Sequence, residues 1–163
     1  MTPENIFWMA LRYSDTIHKL RSIDHGPGHW AKVDHAGIEL GKYTPGADME
    51  VVRFFALFHD TMRESEWRDP EHGKRGADLA LDLGVNHMLT RKQWAALQRA
   101  CIHHDAGMTS DDPTIGVCWD ADRLDLPRVG ILPDPALFST EAGRSAAERL
   151  VRELSGTFPW AER

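Results

Sequence analysis

Apolar residues in this chain recur at steps of three and four, and no stretch alternates apolar with polar as a strand would. Ile6, Met9, Tyr13, Ile17 and Leu20 mark a first predicted helix, opened by Thr2-Pro3 and running to about Arg21. Residues 22–28 read as a loop, in which Gly26-Pro27-Gly28 breaks any helix. A second helix then carries His29, Val33, Ala36 and Leu40 on one stripe. After the turn Tyr43-Thr44-Pro45-Gly46, a central helix is expected from about Ala47 to Glu64. From Val51 to Phe58 it is apolar on nearly every face except at Arg53, the signature of a helix in the middle of a fold.

Four more helices follow. Asp69-Pro70-Glu71 signals a start, with His72, Gly76, Leu79 and Leu83 as the inward stripe and Gly84 as the end. Thr90 and Gln93 have capping-box spacing, ahead of a stripe of Trp94, Leu97, Cys101 and His104. His103 is turned about 100° away from that stripe. Asp112-Pro113 opens a helix with Ile115, Trp119, Asp122 and Leu126 near one face. A proline-rich connection, 127–135, leads to a last helix capped by Ser139 or Thr140 and carrying Ala142, Ala146, Leu150 and Leu154. The expected fold class is all-α, a single compact bundle of about six or seven helices spanning 1–163.

Composition changes this picture little. A chain of 163 residues is long enough for one sizeable core, and 42% hydrophobic with 27% charged residues is ordinary for a globular protein. The formal net charge of −6 gives no basic footprint for duplex nucleic acid. No apolar run approaches the roughly 20 residues of a membrane span, and the N-terminus lacks the basic and apolar regions of a signal peptide. Cys101 and Cys118 have no CxxC spacing and read as reduced core residues of a cytoplasmic protein.

The chemistry lies in polar residues placed where the pattern asks for apolar ones. The central helix ends in His59-Asp60, and burying a carboxylate beside an imidazole is costly without a compensating charge. A helix end that reaches the surface would solvate both residues instead. His29, His72, His104 and Asp122 each join an apolar stripe on a different helix. Convergence of these helices on one metal-filled pocket accounts for all of them together. The donors are nitrogen and oxygen throughout, suited to iron, manganese, zinc, nickel, cobalt or magnesium rather than to thiolate-dependent sites.

In this order the residues resemble the H…HD…D signature of the HD-domain metal-dependent phosphohydrolases, an all-α superfamily. His25-Gly26-Pro27-Gly28-His29 through Val33 is similar to an HGxxHxxxV opening, and Leu57-Phe58-His59-Asp60 with Arg63 to LxHDxxK, arginine replacing lysine. His72-Gly73-Lys74-Arg75-Gly76-Ala77 resembles HGxxGA, and Asp120-Ala121-Asp122-Arg123-Leu124-Asp125 resembles the ADxLD ending. The likeness spans about 23–125 and leaves 127–163 as a C-terminal extension.

The resemblance implies that His29, His59, Asp60 and Asp122 hold one divalent metal. His72 and His104 match the further histidines of the superfamily's two-metal branch, with Asp105 where that branch has threonine. It also implies roles for Asp60 as ligand and bridge, for Arg63 toward phosphoryl oxygens, and for Glu64 in orienting the attacking water. Asp125 is expected beside the site as an ion-pairing residue rather than a ligand, and His25 at the pocket mouth or in the turn. The implied activity is hydrolysis of a small phosphorylated molecule, a nucleotide by analogy. Di-iron oxygenases of the same superfamily and a non-catalytic metal- or nucleotide-binding sensor are the alternative readings. The sequence sets no oligomeric state.

Overall fold

The computed structural model describes residues 24–155; the first predicted helix, from Thr2-Pro3 to about Arg21, lies outside them, as does His18. Six α-helices and three short 3-10 segments, with no strand, make up the described residues. The helices are α1 (Pro27–Gly41), α2 (Met49–Phe58), α3 (His72–Asp82), α4 (Arg91–His103), α5 (Pro113–Arg123) and α6 (Glu141–Leu154). Several expected caps are in place. Asp48 accepts from the amides of Glu50 and Val51, Thr90 and Gln93 close a reciprocal capping box, and Asp112 accepts from Thr114 and Ile115. Of the two candidates for the last cap, Thr140 caps α6 through the amide of Gly143.

Three boundaries differ from expectation. Pro27 starts α1 rather than breaking a helix, because the first helical position needs no amide hydrogen and suits the fixed φ of proline. α3 begins at His72, not after Asp69, because the Asp69 carboxylate is taken by the Glu64 amide and by Arg75. α2 stops at Phe58 instead of Glu64, and Arg63 closes a turn back onto the carbonyl of Asp60 at 3.2 Å.

α2 packs against α1, α3, α4 and α5 and is buried along nearly its whole length, from Val51 to Phe58 except Arg53. Arg53 points outward and meets Asp34 at 3.2 Å. Side chains such as Phe55 and Phe58, fully enclosed, contribute on the order of 2 kcal/mol each through burial.

The direction of the helices matters more for the site. Gln93 at the start of α4 donates to Asp48 at the start of α2 (2.9 Å), and the Asp48 amide donates to Thr114 at the start of α5 (2.9 Å). Three helices therefore begin together and run the same way. Their carboxyl ends gather at the other side of the core, where the negative ends of the helix dipoles favour positive charge. α3 crosses that end closely. A Cβ on Gly76 would stand 2.0 Å from the carbonyl oxygen of Phe58, and one on Gly73 would stand 2.0 Å from that of Cys101. Only glycine permits this approach.

Candidate metal centre

The carboxyl ends of α2, α4 and α5 deliver His59 with Asp60, His104 and Asp122. The opposite ends of the other two helices supply the rest: His29 from the first turn of α1 and His72 from the start of α3. All four imidazoles and Asp60 are buried.

The six side chains form two adjoining triads, one of His29, His59 and Asp122, the other of Asp60, His72 and His104. Within each, the potential ligand atoms lie within 4.8 Å of one another. His29 and His59 face each other Nε2 to Nε2 at 3.0 Å, and Asp122 Oδ1 stands 3.2 and 3.7 Å from the same two atoms. His72 and His104 face each other in the same way at 2.9 Å. Asp60 lies between the triads. Its Oδ1 is 3.1 Å from His72 Nε2 and 3.5 Å from His104 Nε2, while its Oδ2 is 3.5 Å from His29 Nε2 and 3.8 Å from His59 Nε2.

The other ring nitrogens are all engaged. His59 Nδ1 donates to the carbonyls of Phe55 and Ala56, His72 Nδ1 to that of Asp69, and His104 Nδ1 to that of Cys101 at 2.7 Å. His29 differs, giving Nδ1 to the Asp125 carboxylate at 2.9 Å. These bonds fix the tautomers so that each neutral ring presents its Nε2 lone pair to the centre. Two lone pairs at 3 Å repel each other, so each triad calls for a positive charge between its imidazoles.

The ionisation pattern agrees. Burial holds His59 down to about 3, so its imidazole stays neutral. Burial works against charging His104 too, but Asp60 and Asp122 outweigh it and raise the group to about 9. His29 is likewise raised against the effect of burial, by Asp122 and Asp125. Each triad thus holds a histidine whose charged form the neighbouring carboxylates favour. Asp60 and Asp122 stay well below the ordinary carboxylate range, because the surrounding histidines overcome burial. Four imidazole nitrogens and two ionised carboxylates are a fitting donor set for divalent transition metals. Both thiols are buried and pushed upward by that burial, and neither belongs to the donor set.

Several neighbours were less legible in the sequence. His25 Nδ1 is 2.8 Å from Asp60 Oδ2 and 3.2 Å from Arg128 Nη2, so this residue touches the centre itself. Its place in an HGxxH run was the available signal. Arg128 lies in the proline-rich connection and had none. Asp125 stands behind His29 as an ion-pairing residue and also meets Lys32 at 3.2 Å. Arg63 reaches the centre, its Nη1 being 3.3 Å from Asp60 Oδ1 and 3.2 Å from His72 Nε2. Glu64 does not. Because α2 ends early, its side chain is turned outward, 60% exposed and 3.7 Å from Arg75. The acidic residue facing the site is Glu66, with Oε2 3.7 Å from His25 Nε2. His35, His87 and His103 are exposed.

The all-helical architecture and this H…HD…D arrangement define an HD-type fold. A crystal structure from an uncultured Thermotogales bacterium, described as a predicted HD superfamily hydrolase, superposes with a TM-score of 0.72. The two chains are 22% identical over 94% of this chain and 87% of the other, a likeness of fold. No family model and no curated protein matches the sequence. No helix among the described residues is long and apolar enough to cross a membrane.

Proposed function

We propose that this chain is a metal-dependent hydrolase of phosphate ester or anhydride bonds in a small molecule, nucleotides being the favoured substrate class. The observation that carries the reading is Asp60, which turns one oxygen toward His29 and the other toward His72. A carboxylate so placed suits a site for two cations. His29, His59 and Asp122 would hold one, His72 and His104 the other, with Asp60 between them. The HD-type fold and the solved hydrolase that shares it support the hydrolytic reading.

Divalent ions held there would supply Lewis acidity and lower the pKa of water toward neutrality. The chain's own residues supply the rest. Asp60 is held ionised and can orient a water. The Arg63 guanidinium beside Asp60 can offset charge developing on phosphoryl oxygens. Asp125 fixes the ring of His29, and backbone carbonyls fix the other three.

The test is an activity screen of protein reconstituted with Mn²⁺, Fe²⁺, Co²⁺, Ni²⁺, Zn²⁺ or Mg²⁺. Substrates should span nucleotides, dinucleoside polyphosphates, cyclic nucleotides and sugar phosphates. Release of phosphate, pyrophosphate or a nucleoside monophosphate is expected for at least one pair of metal and substrate. Dioxygen consumption by the iron form without hydrolysis would assign an oxygenase instead. Binding without turnover would assign a sensor.

A further inference from the structure

The two triads are not equivalent in charge. The first contains its own carboxylate, Asp122, and a second one, Asp125, stands directly behind His29. The cations near it, Lys32 and Arg128, both pair with Asp125, at 3.2 and 3.7 Å, and Arg128 also stands 3.2 Å from His25. The second triad has only the shared carboxylate of Asp60. It also already holds a fixed cation, because Arg63 Nη1 approaches Asp60 Oδ1 and His72 Nε2 together, at 3.3 and 3.2 Å.

The contact with His72 is specific. His72 Nδ1 donates to the Asp69 carbonyl, so Nε2 is the acceptor for Arg63, and that lone pair is the one a metal would use. The Arg63 side chain is only 12% exposed, which limits solvent screening of its charge. Its Nε and Nη2 are engaged as well, donating to the Ser65 carbonyl at 3.2 Å and to the Trp67 carbonyl at 2.9 Å. The guanidinium is therefore held in place by the loop after α2 and does not swing freely away.

Building on the two-metal reading, we propose that Arg63 is a built-in competitor for the second metal position, making the Asp60–His72–His104 triad the weaker, exchangeable site. A cation entering that triad must displace Nη1 from both acceptors and withstand its charge. The displaced Nη1 then loses those two acceptors and becomes available to an anionic substrate, while the Ser65 and Trp67 carbonyls keep the guanidinium beside the site. Occupancy of the second triad and availability of Arg63 are thereby linked.

Isothermal titration of Mn²⁺ into chelator-treated protein tests this on wild type, Arg63→Gln and Arg63→Lys, with circular dichroism confirming helical content. Wild type should bind one ion tightly and a second much more weakly. Arg63→Gln should tighten the second ion by roughly tenfold or more, since a nearby like charge is removed, and leave the first within about threefold. Arg63→Lys keeps the charge and should stay close to wild type. Adding His72→Ala to Arg63→Gln should abolish the second event. If the first ion binds normally and Arg63→Gln leaves the second unchanged or weaker, the competition is overturned while the metal centre stands. If no form of the protein binds Mn²⁺, both the competition and the proposed function fall together.

Discussion

His72 and His104 meet Nε2 to Nε2 at 2.9 Å, although each has given its other ring nitrogen to a backbone carbonyl. Such a pair is stable only around a proton or a metal cation. Alanine at either position should therefore remove one ion and spare the other, as read by elemental analysis after purification without chelators. Stoichiometry unchanged in both variants would leave a one-metal site.

Metal removal should lower thermal stability as well as activity. Chelation leaves buried carboxylates and facing imidazoles to be neutralised by protons alone, and ligands that bind only the folded state stabilise it by mass action. A melting temperature unaffected by chelator, together with no bound metal, would make the cluster purely structural.

Asp60→Asn should abolish turnover and weaken both ions while preserving helicity. The amide keeps the shape but removes the charge that His25, Arg63 and four imidazoles share. His103→Ala is the contrast, expected to be nearly silent because that side chain is exposed. Near wild-type activity in Asp60→Asn would remove the proposed chemistry.

Gly76→Ala places a methyl group in the backbone of α2, since its Cβ would lie 2.0 Å from the Phe58 carbonyl. α3 must back away, at a cost of about 1–3 kcal/mol typical of overpacking. His72 rides on the same helix, so loss of the second ion should accompany the lower melting temperature. A stable variant with full metal content would show that α3 can shift without moving the site.

Asp69 links the loop after α2 to α3, accepting from the Glu64 amide and from Arg75. Burial opposes its ionisation, yet these partners hold its pKa below the ordinary value. Depression in the folded state means that its contribution is present above the unfolded pKa and is lost as pH falls through the folded one. Wild type should therefore lose more stability than Asp69→Asn between about pH 5 and 3 in denaturant titrations. Parallel acid curves for the two would show that this carboxylate carries no linkage.

Much of the candidate site was legible in the sequence because helical periodicity reports which way a side chain faces. His29, His72 and His104 could be assigned to inward stripes, and His103 separated from His104, without any tertiary information. Caps were equally local: Thr90 with Gln93, and Asp112 with Pro113, work within a single turn. Glu64 was misplaced because the end of α2 is not a local property. Continued apolar and polar spacing permits helix to about Glu64, but the close crossing of α3 over the Phe58 carbonyl and the turn at Asp60 end it earlier.

What only the tertiary structure decided is which ends of the helices come together. Periodicity fixes the face of a helix, not its direction relative to its neighbours. The joined starts of α2, α4 and α5 send three carboxyl ends to one point, where His59, His104 and Asp122 meet the amino ends bearing His29 and His72. The two oxygens of Asp60, the approach of Arg63 to His72 and the contact of His25 with Asp60 follow from that convergence. They depend on distances between residues far apart in the chain, such as the 35 positions separating His25 from Asp60. The sequence by itself determined the ligand types and their inward faces; long-range packing determined their grouping into two triads.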